Sequence, residues 1–114
     1  MVQVSKRKLN PKVWDQIYRI FLKAIKKTTR GKETQLLINF LLTETEKIVL
    51  TKRLAIGLLL EKGLDYDQIK SALKVSQGTI ASVKVRLEVF PEYKKLIDDI
   101  LNSCLLYTSP SPRD

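Results

Sequence analysis

Small polar residues at the start of one predicted helix are the residues of this chain best suited to contact nucleic-acid bases. Ser76 can cap this helix, whose apolar residues recur at helical spacing: Ile80, Val83 and Leu87. The residues left to face outward on its first turns are Gln77, Gly78, Thr79, Ala81 and Ser82. Side chains this small can lie close to base edges in the major groove, and glutamine can form two hydrogen bonds to adenine.

A second, shorter helix precedes these residues. We predict it over Tyr66–Leu73, with an apolar stripe formed by Ile69, Ala72 and Leu73. The order of short helix, tight turn, cap and small polar face is typical of a helix-turn-helix that binds DNA. An ordinary antiparallel helix pair with a capped second helix is the alternative.

The net charge of +9 is concentrated at one end of the 114-residue chain. Residues 1–32 contain ten Lys or Arg and one acidic residue, Asp15, whereas the remaining residues contain equal numbers of basic and acidic side chains. A basic arm over residues 1–9, with Lys6, Arg7 and Lys8, is therefore predicted to bind phosphates whatever the base sequence. A solvated helix face and a membrane surface are the alternatives for this basic end.

The composition argues against an enzyme and against a membrane protein. With no histidine and one cysteine, the chain offers neither a zinc-ligand cluster nor a disulfide framework, and we expect no metal and no cofactor. Asp98 and Asp99 are adjacent, so on a helix they point apart and do not form a catalytic pair. No run of eighteen apolar residues and no secretion signal is present, which predicts a cytoplasmic protein.

The rest of the chain predicts further helices and no strand. Asn10 and Pro11 start an amphipathic helix that ends near Thr28. A second helix is predicted over residues 33–42, and Pro91 starts the final one. The fold class predicted from the sequence is therefore all-α.

A long third helix supplies the argument for a dimer. The capping box Thr43-Glu44-Thr45-Glu46 opens it, and Gly63 ends it. Its segment Ala55–Leu60 has no polar residue, and a helix that is apolar on every side must be buried on every side. Because so short a chain has little other mass to surround it, we predict a homodimer; a compact monomeric bundle is the alternative.

The final residues differ from the rest of the chain. We divide the sequence into the basic arm, one helical domain over residues 10–103, and a tail from Cys104 to Asp114. The tail has no periodicity, contains two prolines and the only cysteine, and resembles the translation of a sequencing adapter. We therefore expect the natural sequence to be cut near Ser103; a genuine disordered tail is the alternative.

Three segments together resemble the Trp repressor superfamily. They are Leu41–Glu46, Lys52–Ile56 and the helix-turn-helix through Leu87, and the resemblance extends over about Trp14 to Leu101. Within the superfamily, the chain is most similar to the Trp-repressor-related branch of bacterial genomes. The resemblance implies a six-helix, intertwined homodimer that presents two helix-turn-helix heads to a palindromic operator in double-stranded DNA.

The resemblance also implies roles for individual residues. It places Gln77, Gly78 and Ala81 on the base-contacting face, next to Ser82, and Lys70 at another base-contact position. It places Thr79, Lys84 and Arg86 near phosphates. For Gly78, which costs a helix about 1 kcal/mol relative to alanine, clearance for a base is the functional interpretation and a loop-edge glycine the alternative.

The corepressor pocket is where this chain departs from the Trp repressor. Thr43 and Arg53 match two residues that enclose tryptophan there, but Ser82 replaces the second arginine and Val83 replaces a glycine. Serine cannot clamp an indole ring, and the branched valine would fill the pocket, so we expect no tryptophan binding. Arg53 is then a phosphate contact or a surface charge. Lys74 replaces the usual glycine of the turn and would be strained if its φ is positive.

These observations favour a sequence-specific, DNA-binding transcriptional repressor that acts as a dimer and is not controlled by tryptophan. The alternative is an antitoxin-like module that uses the basic arm to bind RNA or a protein.

Overall fold

The computed structural model describes residues 9–105, and this part of the chain is helical, without a strand. Its elements are α1 (Pro11–Lys27), α2 (Gly31–Leu41), α3 (Glu44–Glu61), α4 (Tyr66–Leu73), α5 (Gln77–Val89) and α6 (Pro91–Ile100), followed by a π-helical turn (Leu101–Leu105). The predicted all-α class and the six helices are confirmed. None of the helices in residues 9–105 combines the length and the apolar character needed to cross a membrane.

Local side-chain chemistry sets the start of the first helix. The Asn10 side chain accepts a hydrogen bond from the backbone N–H of Lys12 at 2.8 Å, and Pro11 occupies the first helical position, as predicted. The second helix begins at Gly31, two residues before its predicted start at Glu33. Arg30 occupies its N-cap and forms no side-chain cap bond, so no capping residue marked this boundary in the sequence.

The described chain divides between Thr43 and Glu44 into two compact units. The N-terminal unit contains α1 and α2, and neither helix has a buried residue. The rings of Trp14 and Tyr18 stack along α1 with centroids 5.4 Å apart, and Tyr18 and Phe21 follow at 6.4 Å. An aromatic strip therefore lies exposed on one side of α1.

The C-terminal unit contains α3 to α6 around a small core. Its buried residues come from three helices: Ile56 of α3, Ile69 of α4, and Ile80, Val83 and Leu87 of α5. Ile97 of α6 packs against them. The predicted apolar stripe of α4 is confirmed at Ile69 and partly at Leu73, whereas Ala72 is exposed. This core holds α4 and α5 against the long helix α3.

The apolar segment of α3 is covered largely within its own unit. Ile56 and Gly57 are buried, and Leu59 and Leu60 pack against the core formed with α4 and α5. This segment therefore does not by itself require a second copy to cover it. Exposed apolar residues of α3 lie instead before it, at Ile48, Val49, Leu50 and Leu54.

An ion pair joins α3 to α6. Lys94 Nζ lies 2.6 Å from Glu61 Oε1 and 3.4 Å from Asp98 Oδ2. The hydrogen bond to Glu61, followed by that to Asp98, raises the pKa of Lys94. Asp99 pairs with a different lysine, Lys95, so the two adjacent aspartates serve separate contacts.

Candidate nucleic-acid interface

The first helix of the motif is fixed at its start by a capping box. The Asp65 side chain accepts a hydrogen bond from the backbone N–H of Gln68 at 2.8 Å, and the Gln68 side chain accepts one from the N–H of Asp65 at 2.9 Å. Helix α4 then spans Tyr66–Leu73, the bounds that the sequence predicted. The box itself was not among the predictions, although an acidic cap followed three residues later by glutamine is its ordinary signal.

The turn of the motif passes through a left-handed residue. Lys74 has φ 56° and ψ 53°, and it is the only non-glycine residue with positive φ in residues 9–105. Its N–H donates to the carbonyl oxygen of Lys70 at 2.9 Å, which closes α4. The strained turn expected from the replacement of glycine is therefore present.

A serine cap starts the second helix as predicted. Ser76 has extended backbone angles, and its Oγ accepts a hydrogen bond from the N–H of Thr79 at 3.1 Å. The same Oγ lies 2.8 Å from Thr79 Oγ1, so the Thr79 hydroxyl takes part in the cap. A phosphate contact by Thr79 would have to share this hydroxyl.

Helix α5 separates its buried and exposed faces in the way that the sequence predicted. Ile80, Val83 and Leu87 are buried, whereas Gln77, Gly78, Thr79 and Ser82 are exposed and Ala81 is half-buried. A Cβ atom added at Gly78 would meet only Ser76 Oγ, at 3.9 Å. Because packing within the chain does not require glycine at this position, its small size is available to a partner.

Two predicted DNA-contacting lysines lie on the two helices of the motif. Lys70 of α4 is exposed. Lys84 of α5 is also exposed, and its Nζ lies 5.6 Å from the centre of the Tyr66 ring. This cation–π contact holds Lys84 beside the start of α4. It joins residues of different helices, and no local sequence pattern predicted it.

The two arginines predicted to contact DNA line a cavity that the small polar residues at the start of α5 do not line. Arg53 of α3 and Arg86 of α5 line a cavity of about 310 Å³, together with Leu50, Leu54, Gly57, Val83, Leu87, Tyr93, Leu96 and Ile97. The Arg86 guanidinium carbon lies 5.9 Å from the centre of the Tyr93 ring of α6. Sequence reasoning assigned Arg86 to phosphates and did not foresee this cavity.

The residues that distinguish the chain from the Trp repressor also have defined positions. Val83 lies on the cavity wall, whereas Ser82 is exposed and is not part of that wall. The predicted arm residues Lys6, Arg7 and Lys8 lie outside the described residues. Of the predicted tail, Cys104 and Leu105 lie within the π-helical turn, and the remaining residues lie outside the described part.

Comparison with known families identifies the motif. Residues 15–101 match the family described as Trp repressor protein. The chain belongs to the Trp repressor family. This family consists of helix-turn-helix DNA-binding regulators, and α4, the turn at Lys74 and α5 form the helix-turn-helix of this family member. No curated protein and no solved structure matches the chain.

Proposed function

We propose that this Trp repressor family member is a sequence-specific transcriptional repressor that binds a palindromic operator as a homodimer, without control by tryptophan. The observation that carries this proposal is the exposed, small polar start of α5. Gln77, Gly78 and Ser82 are exposed, while the opposite face of the same helix is buried in the core.

Chemistry at this face supports base contact. Gln77 is the first residue of α5. In the major groove, its amide nitrogen can donate a hydrogen bond to adenine N7, and its amide oxygen can accept one from the adenine N6 amino group. Gly78 adds no bulk beside it, and Ala81, one turn later, offers a methyl group that can contact thymine. Lys70 and Lys84 add positive charge on the two helices of the motif.

Exposed apolar surface supports the homodimer. Twenty-one large hydrophobic residues of the described chain are exposed, against five that are buried. Many of the exposed ones lie on α1, α2 and the first half of α3, and include Trp14, Phe21, Phe40 and Ile48. Because monomeric proteins rarely leave so many large apolar side chains exposed, a second copy is the simplest cover for them. Two copies related by a two-fold axis would bind two half-sites.

Ser82 supports independence from tryptophan, whereas the cavity lined by Arg53 and Arg86 does not, because it stays open beside Val83. Val83 lies on its wall, where the family's repressor has a glycine, and the exposed Ser82 cannot clamp an indole from outside it. Arg86 is occupied with the Tyr93 ring at 5.9 Å.

Selection of bound fragments from a pool of random duplex DNA tests the proposal. We expect enrichment of an inverted repeat whose half-sites are separated by one helical turn, roughly 34 Å, or a multiple of it. Selection without tryptophan should give the same repeat as selection with it. Equal recovery of all duplexes, or stronger binding of RNA, would favour the alternative of an RNA- or protein-binding module.

A further inference from the structure

We propose that helix α1 carries a second nucleic-acid surface, a basic stripe that binds the phosphate backbone of duplex DNA whatever its base sequence. The basic stripe consists of Lys12, Arg19, Lys23, Lys26 and Lys27. It is separate from the helix-turn-helix and from the arm over residues 1–9. That the polyanion is DNA rests on the proposed function.

The spacing of these residues places them on one side of the helix. At 100° per residue, the five side chains fall within an arc of roughly 100°, and from Lys12 to Lys27 the stripe is roughly 22 Å long. All five residues are exposed. A row of cations of this length can follow several successive phosphates of a duplex.

Four of the five charges are available to a partner. Arg19 forms an ion pair with Asp15 at 2.8 Å. Within residues 9–105, the lysines at 12, 23, 26 and 27 take part in no ion pair. Asp15 is the only acidic residue of α1, so the stripe keeps a strong positive potential.

The opposite face of α1 decides between DNA and a membrane. The aromatic strip of Trp14, Tyr18 and Phe21 lies on the other side of the helix from the basic stripe. A helix with this division of residues lies in a membrane surface only when its apolar face is free to enter the lipid. If the aromatic strip packs against a second copy, as proposed above, the lysines stay exposed for phosphates.

The matched triple variants K23Q/K26Q/K27Q and K23R/K26R/K27R of the full chain test this surface. Binding is measured against salt concentration on the selected operator and on a duplex of scrambled sequence. We expect the glutamine variant to lower the slope of log K against log salt by roughly 0.9 for each lost contact, hence by roughly 2.7 per protomer and roughly 5.4 for the homodimer, on both duplexes. The arginine variant should keep the slope, and circular dichroism should show the same helix content for both.

Further readouts separate this inference from the proposed function. The ratio of operator to scrambled affinity should not change in the glutamine variant, because phosphate contacts carry no base information. An unchanged slope on the scrambled duplex would overturn the inference. It would also be overturned if the glutamine variant lost only its binding to phosphatidylserine–phosphatidylcholine vesicles. If the glutamine variant lowers the slope but the wild-type protein prefers no DNA sequence, the phosphate-binding role of the basic stripe is supported and the proposed function as a sequence-specific repressor is contradicted.

Discussion

Lys52 of the long helix α3 donates a hydrogen bond from its Nζ to the carbonyl oxygen of Lys74, 3.4 Å away, in the turn of the helix-turn-helix. That carbonyl lies at the C-terminal end of α4, where carbonyl groups lack helical partners and the helix dipole is negative. A cation from α3 is therefore favourable at this point. The contact ties the turn, and with it the start of α5, to the helix that contains Ile56 of the core.

The left-handed backbone of Lys74 gives a prediction about stability. We expect Lys74→Gly to stabilise the protein by about 1 kcal/mol, because glycine adopts φ 56° without the steric cost that a side chain imposes. Lys74→Ala is the matched control, since alanine keeps that cost and removes only the lysine side chain. Urea unfolding measures both. A glycine variant no more stable than the alanine variant would show that the turn stores no strain.

The Ser76 cap gives a prediction that links stability to binding. We expect Ser76→Ala to destabilise the protein by about 1 kcal/mol, since the Thr79 N–H loses its partner. The start of α5 should then fray, and operator affinity should fall more than affinity for a scrambled duplex. Ser71→Ala, at an exposed position of α4, is the control and should neither destabilise the protein nor lower operator affinity. Equal behaviour of the two variants would contradict the role assigned to the cap.

Local chemistry explains why much of the motif was predictable from the sequence. Asn10 and Ser76 cap the helices that follow them because a short side-chain oxygen can reach a backbone N–H two or three residues ahead. The buried positions Ile80, Val83 and Leu87 follow directly from helical spacing. Features of this kind depend only on neighbours along the chain.

Contacts between distant helices explain what the sequence did not predict. The position of Arg86 depends on Tyr93 of α6, and the cover over Leu59 and Leu60 depends on how α4 and α5 pack against α3. The same holds for the bond from Lys52 to the turn. None of these contacts has a fixed sequence spacing, so residue pattern alone could not specify them.

The proposed homodimer predicts that a substitution at an exposed residue of α3 changes the oligomeric state without unfolding the single chain. Ile48 of α3 is 52% exposed, so a charge there should leave the isolated fold nearly unchanged. In a dimer that covers this residue, Ile48→Glu would bury an unpaired charge and should shift the protein to monomers at micromolar concentration. Sedimentation measures the change, with Ile48→Val as the control. A wild-type protein that sediments as a folded monomer would refute the dimer.

Ser82 predicts the response to tryptophan. At millimolar concentration, tryptophan should neither bind nor change affinity for DNA, because Ser82 supplies no clamp for the indole ring. Calorimetry and DNA-binding titrations measure the two quantities. The variant S82R restores the arginine that the family's repressor has at this position, and it should gain a tryptophan signal. Saturable heat from the wild-type protein would contradict this prediction.

The central claim is that the exposed start of α5 discriminates between base sequences, and Gln77→Ala tests it most directly. Affinities of the wild type and the variant are compared on the selected operator and on duplexes that differ from it at single base pairs. We predict a loss of about 1–3 kcal/mol on the operator, with relaxed preference at one base pair in each half-site and unchanged affinity for scrambled DNA. A variant that keeps the full wild-type preference at every base pair would contradict the claim.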